Sequence, residues 1–252
     1  MIFLINIDLK VLWNFLKGDF YYDILGFVLS FFENDEQIYN NILKISYIKT
    51  KEGLKVQLSI YWKENLKRLL DFLANNKWKI FSLDNIKFSI DYINLDFQIF
   101  DLLKQINEIK PLKYKSFWIK FLSPTMIRNK NKIFLLPQPE RFLLNPLTKL
   151  YNFLKKEGLV EKIHLFKNFD FAIYKLWLKD EILVKSFNIK TKIVDIKGSK
   201  RAGTIWNVEY IVYKDENEDF LKILNLTLNF VKFSWIGSGT RLGFWNVKVF
   251  WR

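Results

Sequence analysis

The sequence predicts an α+β fold built from two tandem ferredoxin-like domains, because strand-like and helix-like segments recur in the same order in both halves. Strand-like segments show alternating apolar residues, and helix-like segments have apolar residues spaced three and four positions apart. The resulting order is β-α-β-β-α-β, the ferredoxin-like pattern, with one inner strand of the first half left unassigned. With 252 residues and 50% hydrophobic content, the chain is long enough to bury a core in each domain.

The N-terminal half is predicted to contain three assigned strands and three helices. Alternation predicts strands over residues 1–8, 54–62 and 86–93, and helical spacing predicts helices over residues 21–32, 36–43 and 64–73. Residues 101–114, which include Pro111, are predicted to link the domains. We therefore assign residues 1–110 to the first domain and residues 111–252 to the second.

The C-terminal half is predicted to repeat the pattern. Strands are expected over residues 116–122, 162–187, 203–213 and 244–250, and helices over residues 140–156 and 217–232. The interval 162–187 is interpreted as long strands, and it contains His164 in alternation with apolar residues. This alternation predicts a structural role for His164.

The net charge indicates a polyanionic partner. Lys and Arg total 40 against 26 acidic residues, which gives a formal charge of +14. Eight basic residues lie between Lys104 and Lys132, and five lie between Lys190 and Arg201, with one acidic residue in each interval. The following aromatic residues lie beside these clusters: Tyr114, Phe117, Trp118 and Trp206. Basic groups with interleaved aromatic rings suit single-stranded nucleic acid, whereas an anionic membrane is the other polyanion that such a charge attracts.

Several classes of chemistry are excluded by composition. The chain has no cysteine, so it has no disulfide, no thiol nucleophile and no Cys-based zinc site. Its one histidine, His164, cannot build a His-rich metal site, and we predict neither a metal nor a cofactor. The longest apolar stretch, residues 24–32, is too short to span a bilayer, and no signal peptide is recognised. We therefore expect a cytoplasmic protein that is not embedded in a membrane.

A glycine-rich segment precedes the last predicted strand. Three of the nine glycines, Gly237, Gly239 and Gly243, lie within seven residues that also include Ser238, Thr240 and Arg241. Backbone N–H groups of such a turn can form an anion-binding nest, and the guanidinium of Arg241 suits phosphate oxygens. The alternative interpretation is a helix C-cap followed by a tight turn.

Three stretches carry a resemblance to a known family. They are residues 121–142, with Ser123-Pro124-Thr125 and Pro137-Gln138-Pro139; residues 200–210, with Gly203; and the glycine-rich segment. In this order and spacing they resemble the CRISPR-associated endoribonucleases that process precursor CRISPR RNA, members of the repeat-associated RNA-binding superfamily. The resemblance implies tandem ferredoxin-like domains. It also implies RNA contacts by the glycine-rich segment and by nearby basic residues, namely Arg128, Lys130, Lys132, Lys200 and Arg201.

The family's usual catalytic histidine has no counterpart in the matching stretch. Many members carry it near the end of a short helix in the N-terminal half, and the corresponding residues 36–44 contain none. Counting from Tyr21 places its position at about Leu43. Lysine and tyrosine side chains around this position are the candidates to replace it, and the candidate set is Tyr39, Lys44, Lys49 and Lys51.

The resemblance implies a metal-independent endoribonuclease. Such an enzyme would cleave CRISPR repeat RNA in precursor transcripts and leave 2′,3′-cyclic phosphate ends on mature guide RNAs. The alternative is a non-catalytic protein of the same fold that binds repeat RNA. In both cases the expected partner is single-stranded or hairpin repeat RNA, while a homodimer and a larger CRISPR effector complex are left open as further assemblies.

Overall fold

The computed structural model describes most of the chain and divides it into two compact units. The described residues are 2–13, 42–49, 53–61, 63–76, 79–83, 86–92, 98–100, 102–122, 127–129, 132–134, 138–196, 199–213, 217–234 and 247–251. The first unit comprises Met1–Leu102, Val194–Arg201 and Gly239–Phe244. The second comprises Leu103–Ile193, Ala202–Ser238 and Trp245–Arg252.

The first unit contains an antiparallel sheet. Its strands are β1 (Ile2–Trp13), β2 (Ile42–Lys49), β3 (Gly53–Tyr61), β4 (Ile80–Leu83), β5 (Ile86–Tyr92) and β6 (Gln98–Phe100). Their order is β2-β3-β1-β5-β4, and β6 also pairs with β1. The four strands β2-β3-β1-β5 have the spatial order of a ferredoxin-like sheet.

One helix, α1 (Lys63–Asn75), packs against β3. Its residues Leu69 and Leu73 are fully buried and lie four positions apart, on one face of the helix. The sheet contributes Ile7 of β1, which pairs with Val56 of β3, and Leu58 lies two positions farther along on the same face. All three sheet residues are fully buried, so this contact forms the core of the first unit.

The second unit contains most of the remaining elements. Its strands are β7 (Ser116–Phe121), β8 (Ile127–Asn129), β9 (Lys132–Phe134), β10 (Ile182–Ile196), β11 (Ser199–Val212) and β12 (Val247–Trp251). Residues 194–196 of β10 and 199–201 of β11 are the exceptions, because they belong to the first unit. The helices are α2 (Leu102–Glu108), α3 (Pro139–Lys156), α4 (His164–Lys167), α5 (Phe171–Glu181) and α6 (Glu218–Ser234), with a short 3-10 turn at Val160–Lys162. The sheet order β10-β11-β7-β12 repeats that of the first unit, so the prediction of tandem ferredoxin-like folds is confirmed.

An aromatic cluster joins the second sheet to α3. Ring centroids of Phe121 on β7 and Phe142 on α3 lie 5.2 Å apart, and those of Phe142 and Trp206 on β11 lie 4.7 Å apart. Helix α3 begins at Pro139, where a missing N–H costs nothing because the first helical N–H groups have no partner within the helix. Helix α6 packs against α3 and β12, so the helices cover one face of the sheet.

The long strands predicted over residues 162–187 are wrong in their first part. The chain there forms the 3-10 turn, α4 and α5, and β10 begins only at Ile182. Tyr174 and Leu178 are fully buried four residues apart, which is helical spacing hidden within an aromatic-rich, strand-like composition. Asp170 caps α5, because its carboxylate accepts hydrogen bonds from the N–H groups of Ala172 at 2.6 Å and Ile173 at 3.3 Å.

Two further predicted segments differ in detail from the observed elements. The predicted linker 101–114 contains helix α2, and its residues Ile106 and Leu112 are buried. The helix predicted over residues 36–43 cannot reach its expected end, because Ile42 and Leu43 belong to strand β2. Residues 36–41 and the helix predicted over 21–32 lie outside the described residues.

Candidate nucleic-acid interface

Two of the three predicted catalytic lysines, Lys44 and Lys49, lie on β2, at one end of the strand order of the first sheet. Strand β2 places Lys44 opposite Ser59 and Lys49 opposite Leu54 of β3. At the rise of an extended strand, five residues separate their backbones by roughly 17 Å. Leu43, which counting assigns to the position of the family's histidine, lies in the same strand and not in a helix. Tyr39 and Lys51 lie outside the described residues.

Four of the six predicted RNA-binding basic residues lie in described strands. Strands β8 and β9 form a two-stranded sheet in which Arg128 is opposite Ile133 and Lys132 is opposite Asn129. Lys130, between these strands, lies outside the described residues. Lys200 and Arg201 lie at the start of the long strand β11, which pairs with β10.

The glycine-rich segment lies between a helix and a strand, as the sequence predicts. Helix α6 ends at Ser234 and β12 begins at Val247. The segment itself, with Gly237, Ser238, Gly239, Thr240, Arg241 and Gly243, lies outside the described residues. The last residue of α6 is held by Lys149 of α3, whose ammonium donates a hydrogen bond to the Ser234 carbonyl at 3.2 Å.

The aromatic residues beside the basic clusters differ in exposure. Phe117 and Trp206 are buried in the core, whereas Tyr114 is 50% exposed and Trp118 is half-buried. Only the last two can offer ring surface to a ligand. Alternation along the strand could have separated Phe117 from Trp118 in sequence, since neighbouring strand residues face opposite sides of a sheet.

His164 lies on α4 and is exposed, so its predicted placement on a strand is wrong. It lines a surface cleft formed by α4, α5 and α6, together with Asp170, Asp219 and Phe220. In the part of the chain that the structure describes, no three His, Asp or Glu side chains are grouped to hold a metal ion. Nor is any described helix long and apolar enough to cross a membrane.

Two tyrosines of the second unit, Tyr174 and Tyr210, are fully buried. Burial raises the pKa of Tyr174 well above its usual value. Burial also raises the pKa of Tyr210, and the charge of the nearby Glu140 raises it further. Both phenols therefore stay protonated at neutral pH, and both belong to the core.

Solved structures share the fold of this chain over almost its whole length. No family model and no curated protein sequence matches it. Among solved structures, Cas6 (TTHA0078) in a product complex is 16% identical with a TM-score of 0.72, over 99% of this chain and 100% of that chain. Cas6 (TTHB231) of Thermus thermophilus in a product complex is 12% identical with a TM-score of 0.78, over 99% of both chains. This chain has the Cas6 fold.

A Pyrococcus furiosus protein described as Cas6-related shares the fold less closely, with 15% identity and a TM-score of 0.56 over 99% of both chains. The resemblance predicted from sequence is thereby confirmed for the fold. The stretches that carried it lie in the C-terminal half of the chain. Residues 121–142 lead from β7 through β8 and β9 into α3, residues 200–210 belong to β11, and the glycine-rich segment follows α6.

Proposed function

We propose that this protein is a metal-independent endoribonuclease that cleaves CRISPR repeat RNA within precursor transcripts. The observation that carries the proposal is the match of its fold, over 99% of the chain, to Cas6 structures in product complexes. The net charge of +14 supports a polyanionic substrate of this kind.

The proposed reaction is an internal transesterification. The 2′-oxygen of one nucleotide forms a bond to the adjacent phosphorus while the bond from phosphorus to the 5′-oxygen breaks. The proton of the 2′-hydroxyl goes to a general base, and the leaving 5′-oxygen takes a proton from a general acid. The products are a 2′,3′-cyclic phosphate and a 5′-hydroxyl.

Lysine and tyrosine side chains are proposed to supply these groups in place of the family's histidine. The candidates are Tyr39, Lys44, Lys49 and Lys51. A lysine ammonium can stabilise the charge that develops on the phosphorane, and either residue type can exchange a proton. Their reference pKa values near ~10 make them weaker acid–base catalysts than histidine at neutral pH, so we expect slow turnover.

The substrate is proposed to be held by backbone and basic groups from the C-terminal half of the chain. The glycine-rich segment would bind a phosphate through its N–H groups and Arg241, as an anion-binding nest does. The hairpin residues Arg128, Lys130 and Lys132, with Lys200 and Arg201 on β11, would contact further phosphates.

The test is incubation of the protein with end-labelled repeat RNA in excess EDTA. We expect one cut within the repeat, at a rate equal to that without EDTA, because the 2′-hydroxyl is an internal nucleophile that needs no metal-bound water. The upstream product should resist 3′-end tailing until its cyclic phosphate is opened and the resulting monophosphate is removed to give a free 3′-hydroxyl. Loss of cleavage in EDTA, restored by a divalent cation, would contradict the metal-independent reaction.

A second candidate function is RNA binding without cleavage. It is favoured by the absence of histidine from residues 36–44, and by the location of the chain's one histidine, His164, on α4 of the second unit. In the same assay this function gives tight binding of repeat RNA and no product at any protein concentration.

His164→Ala should leave the cleavage rate unchanged within about twofold. The side chain is exposed on α4, and the candidate lysines Lys44 and Lys49 lie on β2 of the other unit. Single-turnover rates of the wild type and the variant on the same repeat RNA provide the measurement. A loss of activity in His164→Ala alone would show that the reaction is centred on α4.

Substitutions in the glycine-rich segment should weaken RNA binding. Arg241→Ala should lower the affinity for repeat RNA. It should also reduce the slope of log K for RNA binding against log salt concentration by ~0.7–0.9, the value for one lost phosphate contact. Gly239→Val should have a larger effect, because a β-branched residue is strained at positive φ and the nest requires such φ values. Affinities measured by titration at several salt concentrations decide this. Unchanged affinity in both variants would mean that the segment is only a turn.

A further inference from the structure

The sheet of the second unit has one face that the helices do not cover, and its side chains form two rows across the strands. The antiparallel register aligns Asn207 of β11, Lys120 of β7 and Lys248 of β12 in the first row. The second row, two positions along each strand, consists of Glu209, Trp118 and Phe250. Residues two positions apart lie on the same face and roughly 7 Å from each other along a strand.

The first row is polar, basic and accessible. Lys120, Lys248 and Asn207 are all exposed. Among the residues that the structure describes, neither Lys120 nor Lys248 has an ion-pair partner within 4.0 Å. Two neighbouring ammonium groups repel each other, so an anionic ligand bound between them would be stabilised.

The second row offers aromatic ring surface beside a neutralised carboxylate. Phe250 is 48% exposed and Trp118 is half-buried. The carboxylate of Glu209 is buried, and it accepts hydrogen bonds from the Lys185 ammonium at 3.0 Å and the Ser186 hydroxyl at 3.3 Å. Because Lys185 balances this charge, Glu209 does not oppose the approach of a polyanion to the rings.

We propose that this face, defined by Lys120, Lys248, Trp118 and Phe250, binds unpaired nucleotides of the RNA, with bases stacked on the rings and phosphates on the lysines. Aromatic side chains on an antiparallel four-stranded sheet stack bases in other RNA-binding folds, and stacking is tolerant of sequence. The basic row interrupts the apolar surface, so the face suits a nucleic acid better than an apolar protein partner or a lipid surface. The inference rests on the proposed function for the identity of the RNA and adds a binding surface outside the glycine-rich segment.

Binding of a fluorescein-labelled 12-nucleotide oligouridine tests this surface separately from cleavage. Phe250→Ala should weaken binding by roughly 5- to 100-fold and leave the salt slope unchanged, because it removes a stacking partner and no charge. Lys120→Gln combined with Lys248→Gln should reduce the salt slope by about 1.4, the value for two phosphate contacts on a single strand.

Matched controls carry the same chemical changes away from this face. Tyr213→Ala removes an aromatic ring that is 67% exposed, just beyond the end of β11. Lys175→Gln combined with Lys179→Gln removes two exposed charges from α5, on the helical side of the unit. Both controls should retain affinity within about twofold. Equal weakening by test and control variants, or no binding of oligouridine by the wild type, would overturn the proposal.

The oligouridine experiment can fail or succeed independently of the proposed cleavage of repeat RNA. If the wild type cleaves repeat RNA and Phe250→Ala binds oligouridine as the wild type does, the stacking surface is wrong and the proposed function stands. If Phe250→Ala weakens oligouridine binding but the wild type never cleaves repeat RNA, the surface stands and the proposed cleavage is wrong.

Discussion

Replacing the 2′-hydroxyl of the nucleotide before the cut with hydrogen should abolish cleavage and leave the affinity for the RNA unchanged. The proposed reaction uses this 2′-oxygen as its nucleophile, so a hydrogen in its place leaves no group to attack the adjacent phosphorus. A well-placed intramolecular nucleophile has an effective concentration of about 10⁵ M or more, so its removal should lower the rate by at least that factor. Single-turnover cleavage of the modified repeat, with affinity measured in parallel, provides the test.

The matched control is a repeat with the same substitution two nucleotides upstream. This control RNA should be cut at the normal rate. It keeps the 2′-hydroxyl next to the bond that breaks, and the hydroxyl that it lacks takes no part in the reaction. Cleavage of the first substrate at an undiminished rate would show that water, not the 2′-oxygen, attacks the phosphorus. If the protein binds repeat RNA without cleaving it, neither the modified RNA nor the control RNA will be cut.

The order of the elements could be predicted wherever one period dominated the apolar pattern. Strand β7 was expected over residues 116–122 and spans Ser116–Phe121, and its residues Phe117, Ile119 and Phe121 are buried in alternation. Helix α3 was expected over 140–156 and spans Pro139–Lys156. In both cases one face is buried against the core, so burial imposes a clear period on the sequence.

The apolar periodicity did not predict the correct element where aromatic and β-branched residues lie on both the buried and the exposed side. Helix α5 has the sequence Phe171-Ala172-Ile173-Tyr174-Lys175-Leu176-Trp177-Leu178, in which Ile173 and Leu176 are exposed although they are apolar. These exposed residues mask the helical spacing of Tyr174 and Leu178 and imitate an alternating strand. The cap at Asp170 was the signal that could have identified the helix.

The sequence could predict the type of ligand that the candidate interface binds, but not which residues lie together in it. The clustering of basic residues indicated a polyanion, yet it could not show that Lys120 and Lys248, 128 positions apart in sequence, lie side by side. That contact depends on the pairing of β12 with β7, which is a long-range feature of the fold. Phe250 was missed for the same reason, because its neighbours on the sheet are Trp118 and, through it, Glu209.

Phe142→Ala should destabilise the second unit by about 3–5 kcal/mol, the range for removal of a buried phenyl ring. Phe142 is fully buried, and its ring lies 5.2 Å from Phe121 and 4.7 Å from Trp206, centroid to centroid. Loss of the ring would leave a cavity between α3 and the strands β7 and β11. These strands position Lys120 and Asn207. Urea unfolding followed by tryptophan fluorescence measures the loss, since Trp206 reports on this cluster.

The matched control is Phe187→Ala, the same chemical change on strand β10, where the ring is 51% exposed. A half-exposed ring on an edge strand contributes little packing, so this variant should lose no more than about 1 kcal/mol. Phe142→Leu should lie between the two, because leucine fills part of the space that alanine leaves empty. If Phe142→Ala cost no more than Phe187→Ala, the cluster of Phe121, Phe142 and Trp206 would not be the core that joins the helix to the sheet.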